Sequence, residues 1–224
     1  MNKRILMHSF FIVTTLAFFC TKSFAEPQNI GLLRKELRKY HDTGAYDKEV
    51  MKVVKEADAF IASRVKANKA SEKPAKLAIV LDIDDTSLAT YKDVESRDFC
   101  VNQKNIKRAV QRGKFPPIAP IHSLYEKARS EGVAIFFITG RSLDVEQATY
   151  RNLKNAGFKT WSGIYFRPKS DNSTSVVPYK SQVRSIIATR GYTIIASIGD
   201  QESDLLGGYA EKTFKLPNPY YYLP

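Results

Sequence analysis

The sequence is poor in cysteine and has no long apolar run beyond its first residues. Only Cys20 and Cys100 are cysteines among the 224 residues. If the leader described below is removed, Cys100 stands alone and an intramolecular disulfide is excluded. An exported chain without disulfides must depend on its packed core for stability. No internal repeat and no low-complexity tract is present, and no later segment approaches the length of a membrane span.

Residues 1–25 have the order of a cleavable secretory leader. Lys3 and Arg4 precede an apolar run over residues 5–20, and a small-residue pattern ends at Ala25. This run is shorter than the roughly 20 apolar residues that a spanning helix needs. We therefore predict a signal peptide over 1–25, cleavage after Ala25, and a protein that is periplasmic or secreted.

Cys20 leaves lipid attachment open as an alternative, although bulky Phe18 and Phe19 before it disfavour this reading. Cleavage after Ala25 removes three basic residues and no acid, so the formal net charge falls from +12 to +9 over the remaining 199 residues. One domain over 26–224 is of ordinary size. The positive balance favours anionic partners in general, but a solvated basic face is an equally good explanation.

Helical spacing and short apolar runs alternate along the sequence, and together they predict the fold class. Apolar residues spaced at three and four predict an N-terminal helical hairpin over 28–70, with its turn at 42–44. Short continuous apolar runs predict buried strands at 77–81, 133–138, 164–166, 193–198 and 213–216. Helical patterns lie at 121–131, 142–156 and 178–190. This alternation predicts an α/β protein: a Rossmann-like three-layer sandwich with a central parallel sheet.

The segment 87–120 follows the first predicted strand and is long for a connection. We predict a small cap-like insertion over the site, in which Tyr91 and Phe99 contact the leaving group and basic residues attract phosphate. A peripheral loop with a small core of its own is the alternative. The tail 220–224 either builds the interface of a homo-oligomer or, more plainly, folds onto its own domain.

Two aspartates stand at the end of the first predicted strand, in Leu81-Asp82-Ile83-Asp84. Ligands of open parallel sheets bind beyond the carboxyl ends of the strands. Since side chains alternate along an extended chain, Asp82 and Asp84 can project to the same side. Two neighbouring carboxylates repel each other unless a cation neutralises them or one of them is protonated, and Mg²⁺ prefers such oxygen ligands. A helix cap formed by these acids is the alternative.

Three further strand or helix ends carry polar side chains. Thr139 and Gly140 end an apolar strand, where a hydroxyl and an open backbone can hold a phosphate oxygen, or where Thr139 only caps the next helix. Lys180 stands at the start of a predicted helix, an unfavourable place for a cation unless an anion is near. Asp200 and Asp204 open a short helix and can share one face, or act as its caps.

These four motifs together resemble the haloacid dehalogenase superfamily of phosphohydrolases. Its pattern is Asp-x-Asp-x-Thr/Val, then Thr/Ser, a lysine, and Gly-Asp-x-x-x-Asp, and the chain has these elements in this order. Further stretches, among them Tyr179-Lys180-Ser181 and residues 214–219, resemble the acid phosphatase branch called subfamily IIIB. That branch includes bacterial acid phosphatases and plant vegetative storage proteins.

The resemblance implies an acid phosphatase that hydrolyses small-molecule phosphomonoesters. It implies Asp82 as nucleophile and Asp84 as general acid and base, with Mg²⁺ bound by Asp82, Asp84 through its carbonyl, and Asp200.

The resemblance also implies that Asp204 either binds the metal ion or contacts a residue that binds it. It further implies that Thr139, Gly140 and Lys180 hold the phosphate. A phosphotransferase or 5′-nucleotidase on the same site, or a noncatalytic storage or binding protein, remain alternatives. No nucleic-acid-binding module and no membrane span are expected.

Overall fold

The structure, a computed structural model, describes residues 26–223. Two helices begin the described chain: α1 (Ile30–Asp42) and α2 (Ala45–Lys69). Asn29 caps α1 by accepting a hydrogen bond from the Gly31 amide. Gly44 makes the turn between the helices at a φ of 76°, a left-handed value that glycine adopts without strain. The predicted N-terminal hairpin is therefore present, with its turn where the sequence places it.

The centre of the fold is a five-stranded sheet whose strand pairs are all parallel. Its strands are β1 (Lys76–Leu81), β2 (Ala134–Ser142), β3 (Gly163–Arg167), β4 (Tyr192–Gly199) and β5 (Lys212–Lys215). They lie in the order β3-β2-β1-β4-β5. The sheet confirms the predicted α/β class, and β2 extends four residues beyond its predicted end because Ser142 still pairs with Arg167.

Helices cover both faces of the sheet. The remaining helices are α3 (Tyr91–Glu95), α4 (Gln103–Arg112), α5 (Ala119–Ser130), α6 (Glu146–Asn155) and α7 (Val177–Thr189). Alternate residues of β1 enter different cores: Ile79 packs with the layer of α2 and α5, whereas Val80 packs with α7. The result is the predicted three-layer sandwich, with α7 as the main cover of its second face.

The segment 87–120 holds two helices, α3 and α4, that the sequence analysis did not predict. Its aromatic side chains pack against the helical hairpin: the ring of Tyr91 stacks on His41 at 3.4 Å between centroids, and its hydroxyl donates to Asp42 over 3.2 Å. Phe99 packs against both Tyr91 and Tyr220. Tyr91 is thus buried in the core, and the structure does not support the predicted contact of this ring with a leaving group.

The predicted signal peptide, with Cys20, lies outside the described residues. Among residues 26–223, no helix combines the length and the apolar character needed to cross a bilayer.

Candidate active site

Four of the predicted functional stretches meet at one edge of the sheet. Leu81 of β1 pairs with Phe137 on one side and with Ile198 on the other. Asp82 follows Leu81 directly, so it leaves the sheet at the level where β4 also ends, at Gly199, while β2 continues to Ser142. Parallel topology brings Thr139 and Asp200 to this same edge, as the sequence predicts.

Asp82 and Asp204 share the amino group of Lys180. The Lys180 Nζ donates to Asp82 Oδ1 over 2.7 Å and also to Asp204 Oδ1. All three side chains are nearly inaccessible, with 5% exposure for Lys180 and 9% for Asp82. Among the described residues, Asp82 Oδ2 has no hydrogen-bond partner. One oxygen of this carboxylate is therefore held and the other is free.

Asp204 is fixed by the turn that follows β4. Its Oδ2 accepts from the Gln201 backbone amide over 2.9 Å and so completes a capping box with Gln201. The side chain lies so close to Gly199 that a β-carbon there would be 2.1 Å from Asp204 Cβ. Glycine at position 199 is thus required by a close approach, and Asp204 has the capping role that the sequence left open.

Asp200 is surrounded by hydrogen-bond donors. Thr86 donates to its Oδ1 over 2.8 Å, while the side-chain amides of Gln201 and Asn218 donate to its Oδ2 over 2.8 and 2.7 Å. Asn218 belongs to the C-terminal segment, which folds onto its own domain: the Leu223 amide donates to Gln201 Oε1 over 3.1 Å. The tail therefore orients the candidate metal ligand.

Asp84 and Asp85 face different surroundings, as expected for consecutive residues. Asp84 is bound by both edge nitrogens of Arg141, with Nε 2.8 Å from Oδ2 and Nη2 2.6 Å from Oδ1. Asp85 lies fully inside, where it accepts from the Thr90 amide over 2.8 Å and from the Tyr221 hydroxyl over 2.8 Å. Asp84 is the more accessible acid, with 25% side-chain exposure.

Thr139 and Gly140 directly precede Arg141 near the end of β2. Thr139 is fully buried, and its Oγ1 accepts from the Arg141 backbone amide over 3.1 Å. This leaves the hydroxyl proton of Thr139 available as a donor. Gly140 is not required by crowding, since a β-carbon there would meet only Val176 at 4.0 Å. The structure does not by itself assign a ligand to either residue.

Burial and crowding of acids raise several pKa values. Desolvation, followed by the charge of Asp204, raises the pKa of Asp200 to about 7, and the same two causes hold the pKa of Asp82 well above its usual range. Desolvation raises the pKa of Asp85 to about 6. Burial alone would lower the pKa of Lys180, but the charges of Asp204 and Asp82 outweigh it and raise that pKa.

Burial is the first cause of the raised aspartate pKa values, and an excess of negative charge adds to it. Lys180 stays protonated between two acids, yet one ammonium group cannot neutralise the whole cluster. The cluster contains five acids (Asp82, Asp84, Asp85, Asp200 and Asp204) against three bases (Arg141, Lys180 and Arg184). With all five acids ionised, two negative charges are left over, and a divalent cation would balance them.

The donor set also fits such a cation. Asp82, Asp200 and Asp204 can each offer one carboxylate oxygen, and these atoms lie within 4.8 Å of one another. Hard divalent cations such as Mg²⁺ prefer oxygen ligands of this kind. The side-chain oxygens of Asp84 are not part of this group.

Several residues of the site were missed by sequence analysis: Arg141, Gln201, Asn218 and Tyr221. Arg141 directly follows the predicted Thr139-Gly140 pair, so its place in the motif was a signal. The contacts of Asn218 and Tyr221 had no comparable signal, because they depend on how the tail folds back.

Comparison with known proteins gives a family match over almost the whole chain. The profile described as HAD superfamily, subfamily IIIB (Acid phosphatase), matches residues 22–224. This match confirms the resemblance that the four motifs indicate.

Among curated relatives, the chain is 38% identical over 154 residues to "Stem 28 kDa glycoprotein" of Glycine max, covering 66% of this chain and 61% of that protein. It is 33% identical over 148 residues to "Acid phosphatase 1" of Solanum lycopersicum, covering 64% and 58%. The chain thus spans about three fifths of the length of these relatives.

Among solved structures, the class C acid phosphatase from Bacillus anthracis superposes with a TM-score of 0.67 at 18% identity, and 86% of each chain is covered. This likeness supports the fold.

Proposed function

Because the chain belongs to subfamily IIIB of the HAD superfamily, the acid phosphatases, we propose that it hydrolyses small-molecule phosphate monoesters through an aspartyl-phosphate formed on Asp82. One observation supports this most strongly. Asp82, Lys180 and the pair Asp200 and Asp204 come from distant parts of the sequence, yet they form one buried cluster.

We propose that Mg²⁺ is held by Asp82, Asp200 and the backbone carbonyl of Asp84, with Asp204 nearby. When bound, this cation supplies positive charge that offsets the repulsion between the phosphate and the carboxylates. Thr86, Gln201 and Asn218 keep Asp200 oriented toward the site.

The free Oδ2 of Asp82 is the proposed attacking atom, since Lys180 holds the other oxygen of that carboxylate. Its bond to phosphorus forms as the bond to the leaving oxygen breaks, and Asp84 donates a proton to that oxygen. Asp84 then accepts a proton from water, which attacks phosphorus and releases phosphate from Asp82. Asp84 suits both steps because it is the accessible acid of the site.

Thr139, the Gly140 backbone and Lys180 are the proposed contacts for the nonbridging phosphate oxygens. Lys180 carries the positive charge that a phosphate dianion requires, and Thr139 retains a hydroxyl proton to donate. Thr139 lies near the carboxyl end of β2, and Lys180, in the first turn of α7, donates to Asp82.

We further propose that residues 1–25 direct export and are removed after Ala25. Amino-terminal sequencing of exported protein should then begin at Glu26. A retained leader would contradict this cleavage.

The direct test is hydrolysis of a panel of aryl, sugar and nucleoside monophosphates by the mature protein, with Mg²⁺ or with chelator. Asp82→Asn serves as the inactive variant, and thermal unfolding checks that it folds. We expect turnover to be lost on chelation and in the variant. Turnover that survives both changes would refute the proposal, and a parallel assay with an alcohol acceptor separates hydrolysis from phosphotransfer.

A further inference from the structure

We propose that Arg141 is a positioning residue that aims the carboxyl group of Asp84 at the leaving group. The inference rests on the proposed function and adds to it a residue that holds the acid and base. Its basis is the two-point contact between the guanidinium and Asp84, at 2.8 and 2.6 Å. A planar fork of this kind fixes the orientation of a carboxylate as well as its position.

Arg141 is itself held on the other edge of its guanidinium. Its Nη1 donates to Thr149 Oγ1 over 3.0 Å, and Thr149 in turn donates to the Val145 carbonyl over 3.0 Å. Its side chain is only 3% exposed, and the ring of Phe115 lies 5.8 Å from its guanidinium carbon. The guanidinium of Arg141, on β2, is therefore held in place by contacts with α6 and with the segment 87–120.

Asp84 has no comparable support of its own. Among the described residues, its side chain makes hydrogen bonds only with Arg141. The fork occupies one edge of the carboxylate, and a quarter of the side chain is exposed. The carboxyl proton must point at the departing oxygen to be transferred. Its direction thus depends on Arg141 alone among the described residues.

This role predicts a loss that depends on the leaving group. An aryl oxide such as p-nitrophenolate departs without protonation, whereas an alkoxide requires a proton from Asp84. A misaimed Asp84 should therefore slow alkyl esters much more than aryl esters. If Arg141 instead bound the phosphate directly, both classes would slow equally, because both carry the same phosphoryl group.

The experiment compares kcat/KM for p-nitrophenyl phosphate and β-glycerophosphate in the wild-type protein and in Arg141→Lys, which keeps the charge but loses the fork. The ratio kcat/KM reports the first phosphoryl transfer even where a later step limits kcat. We expect β-glycerophosphate to lose about 100-fold and p-nitrophenyl phosphate to lose no more than about threefold, in line with the usual size of acid catalysis.

Arg64→Lys is the matched control. Arg64 makes the same two-point contact with Glu211, at 2.6 and 2.8 Å, outside the candidate site. Its substitution should leave both esters unchanged. Thr149→Val removes the anchor of Arg141 together with the bond from Thr149 to the Val145 carbonyl. We expect a smaller defect that again affects alkyl esters most, which keeps the test open if Arg141→Lys folds poorly.

A double-mutant cycle completes the test. If Arg141 acts through Asp84, then adding Arg141→Lys to Asp84→Asn should cause no further loss on β-glycerophosphate. An equal loss on both esters, or full additivity in the cycle, would overturn this role of Arg141 and leave the phosphatase proposal standing. Absence of hydrolysis of either ester by the wild-type protein would overturn the proposed function itself.

Discussion

Gly199 lies so close to Asp204 that a single methyl group should disrupt the candidate site. A β-carbon at position 199 would be 2.1 Å from Asp204 Cβ, 2.3 Å from its Oδ2 and 2.4 Å from its Cγ. To restore an ordinary contact of 3.4 Å, Asp204 would have to move by about 1.3 Å. A shift of that size breaks the bonds of Asp204 to Lys180 and to the Gln201 amide.

We therefore expect Gly199→Ala to be strongly destabilising. Overpacking and the lost charge-assisted hydrogen bonds together cost about 3–5 kcal/mol. For a domain of this size, that corresponds to a fall of about 6–20 °C in the unfolding midpoint. Because Asp204 helps to form the candidate cation site, Mg²⁺ affinity should also fall by about 10–100-fold. Calorimetry measures both quantities, the first by thermal scanning and the second by titration.

Two further variants separate this clash from other effects of alanine. Gly132→Ala introduces a β-carbon at a φ of +82° with nothing within 4 Å, so it measures left-handed backbone strain without a clash, about 1–2 kcal/mol, a strain that Gly199 does not have. Asp204→Gly removes all three atoms that clash, the β-carbon included, so adding Gly199→Ala to it should cost little more. If Gly199→Ala melted no lower than Gly132→Ala and bound Mg²⁺ like the wild type, the described position of Asp204 would be refuted.

Three other predictions concern the balance of charge in the site. Since the pKa values of Asp85 and Asp200 are raised to about 6 and about 7, the folded protein holds protons that the unfolded chain has released. In the metal-free protein the contribution of these two groups to stability should therefore be complete below about pH 4, and a few kcal/mol of it should be lost as the pH rises through 7. Denaturant titrations in chelator, compared with Asp85→Asn and Asp200→Asn, that show no such loss would contradict this. Lys180→Met leaves two buried acids without their cation and should lower the metal-free unfolding free energy by about 3–5 kcal/mol, measured in the same titrations. Asn218→Ala removes one donor to Asp200 and should weaken Mg²⁺ binding by about tenfold in calorimetric titration, whereas Tyr222→Ala, at a side chain that is 74% exposed, should not.

Most of the fold could be predicted because the strands are short apolar runs that a parallel sheet buries on both faces. The run at residues 77–81 corresponds to β1 within one residue. The segment 87–120 was harder, because its helices are short and its apolar residues few. Even so, Asn102 caps α4 and Gly113 ends it at a φ of 60°, so those boundary signals were readable.

Some contacts of the candidate site could likewise be predicted from the sequence, and others could not. Asp82, Thr139 and Asp200 could be brought together from the sequence, since parallel strands end at one edge. The contact between Arg141 and Asp84 could not, because it depends on the reach of a long side chain between positions 57 residues apart. The hydrogen bond from Asn218 to Asp200 depends on how the tail folds back. Such contacts are properties of packing, which local patterns do not encode.

The most direct measurement is to trap the phosphoryl group on the protein. The mature protein would be mixed with a fast-reacting aryl phosphate and Mg²⁺, quenched in acid, reduced with borohydride and examined by peptide mass spectrometry. An acyl phosphate at Asp82 would appear as a homoserine at that position and would be missing without substrate. Rapid hydrolysis with no modified Asp82, or modification at another carboxylate, would show that a different group attacks phosphorus.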